Sequence, residues 1–259
     1  MRLKLIACEI FYRELSAAVA RSVNRVDVEF LPKGLHDIGQ AGMSARLRET
    51  LDAVDVSQYE AVLLGYGLCS NGLLGLAARA VPLVVPRAHD CITLFLGGKE
   101  RYLDYFLGHP GVYFKTTGWI ERGEGLSQLS RQAGSPSAGM GQPYEDLVAK
   151  YGEDNARFLA EQLDNMLRNY RGLTFIEMGV EPDDRFERRT REEAAGRGWT
   201  YEKLAGDMRL LQALVDGPWD AGRFLVVPPG SRIAPSFDDN VIQAVSESGE
   251  SGKSTGDLA

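Results

Sequence analysis

Long apolar runs are missing from this chain of 259 residues. No stretch approaches the roughly 20 consecutive apolar residues that span a bilayer, so we expect no membrane association. The opening, "MRLKLIACEIFYRELS", lacks the longer apolar core and the small-residue cleavage site of a signal peptide. We interpret it as the start of a β-strand and expect the protein in the cytoplasm.

An excess of positive charge is missing as well. The 29 basic and 36 acidic residues give a net charge of −7, and no basic patch stands out. This argues against nucleic-acid binding. The apolar fraction of 44% and the charged fraction of 25% are typical of a globular protein with a substantial core.

Cysteine is scarce, with 3 residues in the chain. An odd number in a chain that we expect in the cytoplasm does not indicate a disulfide framework. The sequence has no C-x-x-C, and the cysteine spacing matches no standard ligand pattern. The loop "GYGLCSNG" at 65–72 has a G-x-G without the third glycine of a dinucleotide fingerprint, so it indicates a phosphate loop only weakly.

Strand and helix patterns alternate along the chain. Strands are predicted at 3–8, 26–32, 60–67, 81–87, 173–179, 199–206 and 223–231. Helices are predicted at 9–24, 44–55, 71–80, 186–198 and 208–217. The alternation predicts an α/β fold with a Rossmann-like, mostly parallel sheet. Two pseudo-repeated βαβαβ halves joined by a long helix are one arrangement, and one continuous mixed sheet is the other.

Changes in composition divide the chain into four parts. Residues 1–119 form the Rossmann-like half that carries the cysteines, and residues 120–142 form a Gly/Ser-rich loop or lid. Residues 143–245 contain a helix to about Tyr170 and the second α/β half. Residues 246–259 are predicted to be a disordered tail.

The cysteines Cys8, Cys69 and Cys91 all lie at or just beyond the carboxyl end of a predicted strand. Ligands bind at this edge of an open α/β sheet, so we expect the three thiols to converge. Three interpretations stay open: packing residues, metal ligands, or thiols with redox or nucleophilic chemistry.

Three thiolates with an open position suit a catalytic zinc ion that activates a thiol or water. They also suit a [4Fe–4S] cluster whose unligated iron binds substrate. The acid–base or orienting candidates nearby are Glu9, His36, His89 and Asp90. We expect the cofactor to contact the loop residues Gly65, Tyr66, Gly67, Asn71 and Gly72. Trp119 is assigned to the core in preference to the pocket.

Several segments carry a family resemblance. They are "ACEIFYREL", "LPKGLHD", "LLGYGLCSNGL", "VPRAHDCITLFLGG", "GVYFKTTGW", "KYGEDNARFL" and "GPWDAGRFLVVPPG", within about residues 5–230. They resemble the bacterial and archaeal family catalogued as domain of unknown function 1638. The resemblance implies a site made by Cys8, Cys69 and Cys91 with His36 and the His89–Asp90 pair. The architecture is also similar, as a fold-level analogy, to quinolinate synthase and dehydratase-type iron–sulfur proteins.

The family's association with genes of corrinoid-dependent methyl transfer from methylated amines implies a role in one-carbon metabolism. The chain lacks the corrinoid-binding D-x-H-x-x-G, so a separate corrinoid protein is the implied partner. We therefore expect a zinc-dependent enzyme that transfers a methyl or alkyl group of a small-molecule substrate. The alternatives are a [4Fe–4S] enzyme and a non-catalytic accessory protein that delivers a metal or corrinoid.

Overall fold

The computed structural model describes residues 1–36, 38–122 and 170–246, with Gly152, Glu153 and Arg157 between the last two ranges. The side chain of His36 lies outside the description. Most of the predicted loop or lid at 120–142, the predicted helix that starts at Pro143 and the tail beyond residue 246 also lie outside the described residues.

A five-stranded sheet lies at the centre of the fold. Its strands are β1 (Arg2–Cys8), β2 (Arg25–Leu31), β3 (Ala61–Gly65), β4 (Leu83–Pro86) and β8 (Phe224–Val227). They lie in the order β2-β1-β3-β4-β8. Strands β2, β1, β3 and β4 are parallel, and β8 pairs antiparallel with β4. Strands β3 and β4 are buried along their whole length, as expected of strands covered on both faces.

Two apolar clusters cover the two faces of this sheet. Successive side chains of a strand point to opposite faces, so Leu5 belongs to one cluster and Ile6 to the other. The described helices are α1 (Tyr12–Arg21), α2 (Gly39–Ala53), α3 (Cys91–Phe95), α4 (Lys99–Gly108), α5 (Thr117–Glu121), α6 (Arg185–Arg197) and α7 (Arg209–Asp216). Helices α1 and α7 pack against each other on the first face.

A second sheet has three parallel strands in the order β5-β6-β7. They are β5 (Val112–Thr116), β6 (Gly172–Glu177) and β7 (Thr200–Ala205). A two-stranded antiparallel hairpin, β9 (Ser231–Pro235) and β10 (Ile242–Ser246), follows β8. In the part of the chain described, no helix is long and apolar enough to cross a membrane.

The predicted α/β fold with mostly parallel strands is confirmed. The strand order differs from two equal halves, because β8 returns to the first sheet and β5 pairs with β6. The described strands also form three separate sheets, the hairpin included, where one continuous sheet was the alternative. An apolar pattern predicts that a segment is a strand, but it does not predict which other strand it pairs with. The order of strands in the sheets therefore could not be predicted from the sequence.

The short helix predicted at 71–80 is wrong, because this segment forms turns and a single β-bridge. Its start is incompatible with a right-handed helix, since Ser70 and Asn71 have positive φ angles of 54° and 64°. The helix-like spacing of Leu73 and Leu76 reflects the burial of both side chains in the cluster that contains Ile6.

Candidate functional site

All three cysteines line one pocket at the carboxyl edge of the first sheet. Cys8 ends β1, Cys69 lies in the loop after β3, and Cys91 begins α3 after β4. The pocket has an empty volume of about 370 Å³, which includes its open mouth. Three parallel strands, β1, β3 and β4, therefore each place one thiol at the same cavity.

The loop of Cys69 has an unusual backbone. Cys69, Ser70 and Asn71 have consecutive positive φ angles of 41°, 54° and 64°, a conformation that costs a non-glycine residue roughly 1–2 kcal/mol. Two hydrogen bonds tie this loop to the loop after β4: Leu68 N donates to Ala88 O at 2.8 Å, and Cys69 N donates to His89 O at 3.0 Å. Such strain is typical of functional sites.

Helix α3 begins at Cys91 because Asp90 caps it. The Asp90 carboxylate Oδ1 accepts hydrogen bonds from Thr93 N and Thr93 Oγ1, both at 3.0 Å. The Tyr102 hydroxyl also interacts with this carboxylate, and burial is the main cause that raises the pKa of Tyr102 to about 12. The cap fixes the direction in which Cys91 leaves the loop.

Burial dominates the electrostatics of the thiols. It is the main cause that raises the pKa of Cys69 to about 12, and the neighbouring Cys8 and Asp90 contribute to this shift. Burial likewise raises the pKa of Cys91 well above its ordinary value, with Cys69 nearby, while the Trp119 indole opposes the shift. Thiols in such surroundings become thiolates when a cation binds them.

The second sheet supplies Trp119 to the pocket. Helix α5 continues directly from β5, and Thr116 Oγ1 accepts a hydrogen bond from Trp119 N at 3.2 Å. Gly118 lies so close to the Ile10 carbonyl that a Cβ atom would overlap it. An ion pair between Arg13 and Glu121, with Nη2 and Oε1 2.6 Å apart, holds the same two segments together.

Lys33 lines the same pocket and is only 4% exposed. Its Nζ atom lies 4.4 Å from the centre of the Trp119 ring, in cation–π contact. Lys33 was missed in the sequence, although it follows β2 just as His36 does. The rule that ligands bind at the carboxyl ends of parallel strands selects both residues. Trp119 was placed in the core because nothing local indicates the packing of the second sheet.

Tyr66 completes the polar lining. Its hydroxyl is buried and has no hydrogen-bond partner among the described residues. Burial raises the pKa of Tyr66, and the thiols of Cys8 and Cys69 add to the shift. The remaining walls are apolar side chains of Ile10, Phe11, Leu35 and Met43.

The thiols share the cavity without forming a ready single-ion site. Within the described ranges, no group of three or more His, Cys, Asp or Glu side chains is arranged to hold one metal ion. The cysteines are free of disulfides, so the donor set consists of three thiols distributed around a pocket wall.

Residues 30–215 match a family described as "protein of unknown function (DUF1638)". The chain belongs to the DUF1638 family. The matched range includes Lys33, Cys69, Cys91 and Trp119, whereas Cys8 precedes it. No curated protein and no solved structure matches the chain.

Among the polar candidates of this DUF1638 protein, Glu9, His89 and Asp90 lie around the pocket and are not among its described lining residues. Glu9 Oε1 accepts a hydrogen bond from the backbone N of Lys33 at 2.9 Å, which positions the loop after β2. His89 is exposed and contributes its carbonyl oxygen to the Cys69 loop, and Asp90 caps α3. His36 ends a short 3-10 helix, Lys33–His36.

Of the five loop residues that were predicted to contact a cofactor, two line the pocket and three do not. Tyr66 and Gly67 line the pocket. Gly65 packs against Ala7 and Gly72 against Met43, each at a distance that leaves no room for a Cβ atom. Asn71 is exposed. Its left-handed backbone conformation therefore shapes the loop, and its side chain faces solvent.

Proposed function

We propose that this DUF1638 protein is an enzyme whose metal centre is bound by Cys8, Cys69 and Cys91, with an open position for a small-molecule substrate. One observation carries the proposal: every cysteine in the chain lines the same pocket, although the three come from different segments of the chain. Packing accounts for a single buried thiol, but it gives no reason for all of them to face one cavity.

Two metal centres suit three thiolates, and they differ in the spacing that they need. A zinc ion gathers all its sulfur ligands around one point. A [4Fe–4S] cluster binds each cysteine through a different iron atom, so its ligand sulfurs lie farther apart. We test the cluster first, because it does not need the three thiols to meet around one ion. Zinc, with the thiols drawn together on binding, is the alternative.

For the reaction we propose transfer of a methyl or alkyl group in one-carbon metabolism, with a corrinoid protein as the partner. This part rests on the association of the family alone. The open position of either metal centre would polarise the group that reacts. We place the protein in the cytoplasm, where three thiols outside any disulfide stay reduced and available as ligands.

The test is metal and sulfide analysis of protein purified without oxygen. We expect about four irons and as many sulfides per chain, with visible colour, and a loss of most of both in Cys8→Ser, Cys69→Ser and Cys91→Ser. Met43→Leu is the matched control, because Met43 lines the same pocket without being a proposed ligand. About one colourless zinc per chain with the same variant pattern would select the alternative.

The proposal fails if the wild-type chain binds neither metal after reconstitution. It also fails if the serine variants retain the full metal content of the wild type. Far-UV circular dichroism of every variant separates loss of the metal from loss of the fold.

A further inference from the structure

The polar groups of the pocket share one property: besides the thiols, they are hydrogen-bond donors. Lys33 contributes an ammonium group, Tyr66 a hydroxyl and Trp119 an indole N–H. No Asp or Glu is among the described residues that line the cavity. A pocket with this lining favours a ligand that brings acceptors and negative charge.

Two of these donors need a partner. Tyr66 Oη is buried without a hydrogen-bond partner in the described part of the chain, and buried Trp119 Nε1 has only the weakly accepting Cys91 sulfur beside it. Buried polar atoms in proteins are nearly always satisfied, and those that are not indicate strain or a missing ligand. An acceptor entering the pocket would satisfy both.

Lys33 adds the charge. Its ammonium is largely removed from water and lies against the Trp119 ring, so it faces the cavity in a fixed position. A cation in such surroundings interacts with a negative ligand more strongly than a cation in water would.

The remaining walls suit an apolar body. Ile10, Phe11, Leu35 and Met43 present carbon and sulfur atoms to the cavity. The empty space of about 370 Å³ includes the open mouth, so the part that these walls enclose is narrow. A ligand that fits beside the cysteines must therefore be compact.

We propose that the pocket binds a short aliphatic carboxylate, whose oxygens accept hydrogen bonds from Lys33, Tyr66 and Trp119 while its carbon chain packs on the apolar walls. The inference rests on the proposed function, because it identifies this carboxylate as the class of substrate presented to the metal centre of the three cysteines. The binding step itself needs the pocket and not the metal.

The first experiment compares three probes of nearly equal size: propionate, propionamide and propylammonium. Saturation-transfer NMR with the full chain, purified without oxygen, measures their affinities. We expect saturable binding of propionate, at least about tenfold weaker binding of propionamide and no binding of propylammonium. Equal binding of all three, or preference for the cation, would overturn the proposal.

The second experiment uses matched variants. Lys33→Met keeps the apolar stem and should weaken propionate binding about tenfold or more. Lys203→Met is the control, since it removes the same charge from β7, where Lys203 pairs with Glu177 and Glu187 outside the pocket. Tyr66→Phe removes one buried hydroxyl while keeping the ring, so it should fold and still bind propionate several-fold more weakly.

Unchanged propionate affinity in Lys33→Met and Tyr66→Phe would overturn the proposal, as would a change confined to the colour of a bound cluster. Metal analysis of the same samples separates this failure from that of the proposed function. Propionate that binds through Lys33 to a chain without metal would preserve the carboxylate pocket and refute the metal centre. A chain that binds the metal but not propionate would preserve the metal centre and refute the carboxylate pocket.

Discussion

Gly67 lies directly against the backbone of Asp90. A Cβ atom at position 67 would come within 2.6 Å of the Asp90 carbonyl carbon. The contact presses the loop after β3 onto the loop after β4, and these loops carry Cys69 and Cys91. The absence of a side chain at Gly67 therefore sets the separation of two of the three thiols.

Gly67→Ala should push these loops apart. We expect a cost of about 1–3 kcal/mol in the free energy of unfolding, because the overlap is with backbone atoms that cannot rotate away. Metal content should fall with it, and urea unfolding with metal analysis measures both. Gly196→Ala is the control, since Gly196 lies inside α6 with open space around it and should gain up to about 1 kcal/mol. Wild-type stability and metal content in Gly67→Ala would contradict this role.

Gly118→Ala should separate the two sheets where they meet. A Cβ atom at Gly118 would overlap the Ile10 carbonyl oxygen, so α5 must shift and carry Trp119 away from the pocket. We expect a larger loss of stability than in Gly67→Ala and a changed near-ultraviolet circular dichroism signal from the tryptophan. An unchanged spectrum would show that Trp119 keeps its place without this contact.

Glu14 should make the protein less stable as the pH rises. Its side chain is fully buried on α1, and neither carboxyl oxygen has a partner among the described residues. Burial raises the pKa of Glu14 from 4.5 to about 7, with Glu181 and Glu121 adding to the shift and Arg13 opposing it. The folded state thus binds more protons than the unfolded state, and its stability falls between these two values.

Glu14→Gln should remove that dependence. The variant should match the wild type below about pH 4.5, gain stability up to about pH 7 and then hold a constant advantage on the order of 3 kcal/mol. Chemical denaturation from about pH 4 to pH 8 measures the difference. A difference that is constant over this range would show that Glu14 does not titrate as its burial implies.

The location of the three cysteines could be predicted from the sequence because it depends on one simple relation. Strands that alternate with helices run parallel, and their carboxyl ends lie at one edge. Cys8 ends such a strand, and Cys69 and Cys91 each follow one, so their common edge can be predicted without knowledge of side-chain packing. The same relation selects Lys33, which had been passed over.

The role of Trp119 could not be predicted from the sequence, because it depends on contacts between distant segments. Trp119 reaches the pocket because Gly118 packs on Ile10. The sequence around either residue does not indicate that the two are in contact. The backbone conformation of the Cys69 loop could not be predicted either. Ser70 and Asn71 have positive φ angles, and the apolar residues that follow them suggested a helix instead.

Asp90 and His89 were predicted to take part in chemistry, and their places in the structure suggest different outcomes. Asp90→Ala should lose the cap of α3, at about 1 kcal/mol, and should lower metal content by freeing Cys91. Asp90→Asn retains a capping side chain and should keep both properties. His89→Ala should bind metal like the wild type, because its exposed ring does not line the pocket. Loss of metal in His89→Ala alone would make His89 a ligand.

X-ray absorption at the edge of the bound metal tests the central claim most directly, using wild-type protein purified without oxygen and the Cys69→Ser variant. We expect a shell of sulfur ligands at about 2.3 Å in the wild type, with the metal lost or its sulfur shell depleted in the variant. A shell made only of nitrogen and oxygen, or a sulfur shell that is identical in both proteins, would contradict a metal centre bound by Cys8, Cys69 and Cys91.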